Sequence, residues 1–227
     1  MNSEQTILLC FALEREAAPF RRAMRDSIGG IRILLVGMGS RAASERFSQA
    51  IAWERPGCVI TSGLAGGLDP SLAPGTVLVE TSSAFLLSAA RIPGAVPIRF
   101  HCDERIAVTR LDKSLLRSRT GADAVEMESG AIHKICEQHG IPCATVRVIS
   151  DSADEDLPLD FNALRGADGQ LHNGKLAMAI ISRPWKVPSL MKLGRTTARA
   201  TERLAQALVE IAGRVRSEGM GGSRDHG

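Results

Sequence analysis

Ile141-Pro142-Cys143-Ala144-Thr145-Val146-Arg147-Val148-Ile149-Ser150-Asp151 is the stretch that decides the fold. Ile141–Ser150 is too apolar for a surface strand, and its C-terminal end delivers a carboxylate, Asp151. The neighbouring segments keep the same rhythm. Thr6–Ala12 (TILLCFA) reads as a buried strand, followed at once by a helical pattern from Glu14 to about Arg25. Ile31–Gly37 is a second strand, with Ser40 as the N-cap of a helix through Trp53. Cys58–Ser62 is a third strand running into a glycine-rich loop, Gly63–Gly67. Thr76–Glu80 is a fourth, after the turn Ala73-Pro74-Gly75. Ala124–Met127 ends a strand and starts a helix to His139, and a last helix covers about Arg195 to Arg216. This alternation predicts an α/β domain with a mixed, largely parallel central sheet flanked by helices and a helical C-terminal extension. Residues 1–218 are expected to form one domain, with a disordered glycine-rich tail over 219–227.

Composition narrows the function classes. The chain has 227 residues, 44% hydrophobic and 23% charged, an ordinary balance with ample material for a core. Aromatics are 4% and tyrosine is absent, which leaves little for stacking nucleic-acid bases. A net charge of +3 is too small to imply DNA or RNA as a partner. The five cysteines include no CxxC pair and read as reduced core thiols of a cytoplasmic protein. The apolar run Ile7–Leu13 stops at Glu14 without a basic leader, so no signal peptide is expected, and no apolar stretch is long enough to span a bilayer.

In open α/β sheets, ligands bind beyond the C-terminal ends of strands. Glu14, Glu16, Gly63–Gly67, Glu126, Glu128 and Asp151 all fall at such ends. A glycine-rich loop after a strand can turn N–H groups toward an anion, although Gly63–Gly67 matches neither nucleotide-binding fingerprint. In Val125-Glu126-Met127-Glu128-Ser129, acids enter a helix start, which the helix dipole favours by itself. Two carboxylates flanking a methionine also suit a sugar, with oxygens for its hydroxyls and a soft side chain for its face. In Ile149-Ser150-Asp151-Ser152-Ala153-Asp154, a partly buried acid can serve as a general acid.

Taken in order, Gly63-X-Ala65-Gly66-Gly67, Val125-Glu126-Met127-Glu128 and Val146-Arg147-X-Ile149-Ser150-Asp151 resemble the nucleoside phosphorylase and methylthioadenosine/S-adenosylhomocysteine nucleosidase superfamily. Ala12-Leu13-Glu14-Arg15-Glu16 resembles that family's opening strand–helix turn, and the resemblance covers residues 6–160. It implies cleavage of the N-glycosidic bond of an adenine nucleoside. Asp151 would protonate or hydrogen-bond the purine at N7, and Glu16 would activate water. Glu128 would hold the ribose hydroxyls, Met127 would pack on the sugar and Glu126 would support this wall. Ser150 and Gly66 would complete the substrate-facing set.

Two features depart from the hydrolytic members. Leu64 stands where they usually carry a serine, and only about 45 residues separate Val79 from Val125. The run Ser182–Ala200 (SRPWKVPSLMKLGRTTARA), with Gly63–Pro70 and the short middle, resembles the hopanoid-associated phosphorylases, which implies adenosylhopane as the substrate. Residues 161–201 hold seven basic residues (Arg165, Lys175, Arg183, Lys186, Lys192, Arg195, Arg199) against one acid, Asp168. Pro184 and Pro188 divide this segment into short pieces. A basic–apolar composition suits an anionic lipid surface, so 175–199 is a candidate peripheral contact at the inner membrane. The competing reading is a helical cap packed on the sheet.

Either nucleophile is compatible with these residues. A water or phosphate pocket would involve Gly63, Leu64, Arg41 and Arg147, with Arg15 and Arg21 as further phosphate candidates. Inorganic phosphate would be a co-substrate if the reaction is phosphorolytic; no other cofactor and no metal are expected, the five histidines showing no ligand spacing. The family resemblance implies a homo-oligomer. The alternatives are a hydrolytic methylthioadenosine/S-adenosylhomocysteine nucleosidase and a non-catalytic nucleoside-binding protein.

Overall fold

The computed structural model describes residues 6–24, 29–164, 166 and 172–221. Its elements run β1 (Ile7–Phe11), α1 (Glu14–Ala23), β2 (Ile31–Leu35), α2 (Ser40–Trp53), β3 (Cys58–Gly67), β4 (Val77–Thr81), α3 (Ala84–Ala89) and β5 (Ala95–Pro97). Then come β6 (Phe100–Cys102), α4 (Arg110–Thr120), β7 (Ala124–Glu126), α5 (Ser129–Gln138) and β8 (Cys143–Asp151). Three further helices follow: α6 (Phe161–Leu164), α7 (Asn173–Ser182) and, after a 3-10 turn at Pro184–Lys186, α8 (Val187–Gly221).

The strands form one eight-stranded sheet ordered β2-β1-β3-β8-β4-β5, with β7 pairing the end of β3 and β6 pairing β7. β1 lies parallel to β2 and β3, β3 to β8, β4 to β5 and β6 to β7; only the β4–β8 and β3–β7 pairings are antiparallel. This is the mixed, largely parallel sheet that the alternation predicted. β1 shows why its residues make a central strand. Ile7, Leu9 and Phe11 join the core beneath α1 and α8, while Leu8 and Cys10 join the core beneath α2 and α5. A strand buried on both faces needs continuous apolar sequence rather than alternation.

The glycine-rich segment is not a loop. Gly63–Gly67 continues β3, paired with β8 up to Gly66 and with β7 at Gly66 and Gly67. Glycine is required there by close approach. A Cβ on Gly63, whose φ is 153°, would meet the Arg147 Nη1 at 2.6 Å, and one on Gly67 would meet the Asp151 carbonyl at 3.1 Å. The cradle of N–H groups expected from this segment is therefore spent largely in the sheet ladder.

α8 is longer than the predicted final helix. Pro188 sits in its first turn, where no backbone donor is needed, so it does not break the helix. Its Ala200, Leu204, Leu208, Ile211 and Val215 are buried against the sheet and α1, while Ala198 is exposed. The helix extends through Gly221 into the expected tail, and 222–227, like Arg165 and Asp168, lie outside the described residues.

Candidate active site

The end of β3 organises the site. Gly66 lies opposite Asp151 on β8 and opposite Val125 on β7, after a register shift at Ala65 and Gly66. The three segments singled out in the sequence therefore converge around one glycine. With the β1–α1 turn they line an open cleft of about 710 Å3, a figure that includes the solvent at its mouth. Glu16, Met127, Glu128, Arg147, Ser150 and Asp151 all face it.

Glu16 owes its position to helix capping. Its carboxylate accepts from the Leu13 N–H at 3.2 Å, as in a capping box, and from the Leu64 N–H at 3.4 Å. Burial pushes its carboxyl above the usual range, against the opposing pull of Arg147 and the two N–H groups. Leu64 contributes its backbone here, which is why a leucine can stand at that position and still meet the Glu16 carboxylate.

Arg147 is the hub of a buried charge cluster. Its Nη2 donates to Glu126 at 2.5 Å and Glu128 at 3.1 Å, and its Nη1 donates to the Leu64 carbonyl at 3.3 Å. Burial works against its charge, but Glu126, Glu128 and Glu16 outweigh that and hold the guanidinium more firmly protonated than usual. The expectation that Arg147 binds phosphate meets a physical obstacle, because both of its terminal nitrogens are already engaged by protein oxygens. Arg41 is exposed on α2 and does not line the cleft, and Arg21 pairs with Glu14 on the surface.

Glu126 and Glu128 differ in how fully they are occupied. Glu126 accepts from the backbone N–H groups of Glu128 and Ser129, each at 2.9 Å, from the Ser129 hydroxyl at 2.7 Å, and from the Cys102 thiol and Arg147. It caps α5 and has no oxygen left for a ligand. Although burial raises its pKa, Arg147 and these donors bring it below the ordinary carboxylate value. Glu128 accepts from only the Gly39 N–H at 3.0 Å and from Arg147. Burial, opposed by Arg147 and reinforced by neighbouring Glu126, pushes Glu128 up to about 7. Ser40, expected to cap α2, instead donates its hydroxyl to the Met127 carbonyl at 3.1 Å, while Gly39 takes the cap position. These two links tie the 39–40 turn to the Met127–Glu128 wall.

Asp151 is held from two sides. The Ser150 hydroxyl donates to its Oδ1 at 2.6 Å, and the Lys113 ammonium donates to its Oδ2 at 2.6 Å. Lys113, on α4, went unnoticed in the sequence, as did Met38, Leu157 and Arg105–Ala107 in the cleft wall. The α4 start was readable, since Thr109 and Asp112 form a reciprocal capping box and Gly121 ends the helix with a φ of 66°. Nothing local marked Lys113 as buried. Among the described residues, no group of three or more His, Cys, Asp or Glu could hold a metal ion.

The sheet, its β3 hinge and the carboxylate-lined cleft define a nucleoside phosphorylase-like α/β fold. The phosphorylase superfamily model matches residues 99–182 of the chain. It is 25% identical over 194 residues to a 5′-methylthioadenosine/S-adenosylhomocysteine nucleosidase of Anoxybacillus flavithermus, covering 69% of this chain and 83% of that one. Futalosine hydrolase of Helicobacter pylori shares the fold with a TM-score of 0.70 at 17% identity, covering 94% of this chain and 99% of that one. A Neisseria meningitidis 5′-methylthioadenosine/S-adenosylhomocysteine nucleosidase, solved with methylthio-immucillin-A, gives 0.70 at 21% identity with the same coverage.

Proposed function

We propose that this protein is an enzyme that hydrolyses the N-glycosidic bond of an adenine nucleoside. The observation that carries the reading is the buried charge cluster of the cleft wall, where three carboxylates surround one guanidinium that they already neutralise; Asp151, Arg15 and Arg105 line the rest of the cleft. Such a cluster suits a cationic, oxocarbenium-like sugar, and Arg147 has no terminal nitrogen left for a phosphate dianion. Glu16 would orient and deprotonate water from its two N–H contacts. Glu128 would accept the ribose hydroxyls, Met127 would pack on the sugar, and Asp151 would give a proton to N7 of the departing base. Gly66, with no side chain between Val125 and Asp151, leaves room for the purine.

The finer reading is a lipid-linked substrate, adenosylhopane, presented at a membrane surface. Support comes from the outer face of the C-terminal segment. Met178, Ile181, Trp185 and Met191 are 66%, 74%, 68% and 53% exposed. Leu176 and Ala179 of the same α7 helix pack inward on Leu159, Leu164 and Leu190, forming a small core of their own rather than a cap on the sheet. A second cavity, lined also by Glu155, Asp156 and Lys192, shares Ser150, Asp151 and Leu157 with the cleft and reaches Ser189 and Leu193 of α8. No described helix is long and apolar enough to cross a membrane. The similarity to methylthioadenosine/S-adenosylhomocysteine nucleosidases favours a second reading, a small thioether nucleoside as substrate. Homo-oligomerisation in the cytoplasm is part of the proposal.

One experiment separates these readings: adenine release from adenosine, methylthioadenosine and an adenosyl lipid in anionic vesicles, with and without phosphate. Phosphate-independent release with preference for the lipid is expected. Phosphate dependence would overturn hydrolysis, preference for methylthioadenosine would overturn the lipid reading, and adenosine binding without turnover would leave a nucleoside-binding protein.

A further inference from the structure

Lys113 is 1% exposed, and all three of its ammonium protons are used. They go to Asp151 Oδ2 at 2.6 Å, the Ser152 carbonyl at 2.6 Å and the Glu155 carbonyl at 3.0 Å. A buried lysine is costly unless paired, and here the one carboxylate that pairs it is Asp151. The rest of α4 is firmly anchored. Leu116 packs with Leu68, Ala122 and Val125, and Arg117 pairs with Asp69 at 2.5 Å. The segment after Asp151 is stitched to the same helix start: the Leu157 N–H donates to the Val108 carbonyl and the Arg110 N–H to Asp156, each at 2.8 Å. The ammonium is thus a fixed charge on a fixed support, aimed at one oxygen of Asp151.

We propose that Lys113 is the positioning residue for leaving-group protonation, acting through Asp151; this rests on the role given to Asp151 above. As C1′–N9 breaks, its electron pair passes to the purine. The Asp151 O–H bond breaks, N7–H forms, and the new carboxylate is left facing the Lys113 ammonium. A preorganised positive charge next to a developing negative one lowers the barrier for that transfer. Lys113 itself gives up no proton and touches no substrate. The carbonyl contacts hold the 151–155 turn so that Asp151 keeps its aim.

The test compares leaving groups in the full-length chain. Lys113→Met is assayed on adenosine, whose base needs a proton, and on p-nitrophenyl riboside, whose phenolate leaves without one. The expected result is a fall in kcat of about 10²-fold on the nucleoside, with KM and aryl-riboside turnover within about threefold. The double variant with Asp151→Asn is expected to be no slower on the nucleoside than Asp151→Asn alone. Equal losses on both substrates, additive losses in the double variant or unchanged nucleoside turnover would each overturn the proposal. Should Lys113→Met fail to fold, Lys113→Gln retains donors for the carbonyls and is read on the same two substrates. A native chain that releases no adenine would refute the functional reading instead.

Discussion

In the cleft, Glu16, Glu126, Glu128 and Arg147 are charged groups held inside; on α7, the 3-10 turn and the start of α8, Met178, Ile181, Trp185 and Met191 are apolar groups held outside. Each region inverts the usual distribution, and each is expensive in its own way. The difference lies in how the cost is met. The buried charges are tied to one another and to backbone donors, whereas the apolar side chains of the outer face stay exposed among the described residues. A cross-linked network makes a preformed site; an exposed apolar face makes a surface to be covered.

The sharpest way to break the comparison is to neutralise the cleft acids to which the proposal gives the chemistry. Asp151→Asn and Glu16→Gln should each lower adenine release by about 10²–10⁴-fold, as expected for a positioned acid or base. Steady-state kinetics with melting curves separates this from unfolding. Retention of activity within tenfold in either variant would remove that residue from the chemistry.

Glu126 should behave oppositely, as a stability residue. Glu126→Gln leaves Arg147 with a weaker partner and loosens the α5 cap, and breaking a buried pair costs about 3–5 kcal/mol. A large fall in denaturation midpoint is expected. An unchanged midpoint would mean that Glu126 is a substrate ligand rather than a support.

Glu128 gives a pH signature. Its carboxyl is raised from 4.5 to about 7, so below neutrality it is protonated and, in the proposed role, would accept the ribose hydroxyls poorly. Activity should fall on the acid side with an inflection near 7, and Glu128→Gln should lose that inflection. For stability the sign is reversed. The unfolded chain ionises from about 4.5 while the folded one resists until about 7, so this group's contribution is intact below 4.5 and is lost as pH rises through that window. Melting of Glu128→Gln should accordingly decline less than native between pH 5 and 8.

The fold and the site were legible to different degrees, for physical reasons. Strands buried on both faces, such as β1 and β8, announce themselves by unbroken apolar runs. The carboxylates followed from strand ends. What sequence could not convey was pairing. Gly63–Gly67 looked like a loop because glycine signals a turn and close packing alike, and only Arg147 and Asp151 on the neighbouring strand explain it. Arg147 looked like an anion ligand because a lone arginine does not reveal that three distant glutamates surround it. Lys113 was invisible because it reads as one more solvated charge on a short polar helix.

The exposed face carries the smallest predicted effect on the folded protein and the clearest test of what covers it. Trp185→Ser and Ile181→Ser remove side chains that are 68% and 74% exposed, so each should change stability by less than about 0.5 kcal/mol. Turnover of soluble adenosine should be unchanged, because neither residue lines the cleft. Binding to anionic vesicles should weaken, and the loss should grow with added salt because Arg183 and Lys186 flank the same patch. Vesicle binding unchanged in the double variant would show that this face meets something other than lipid, and would separate the extension from the reaction that the cleft performs.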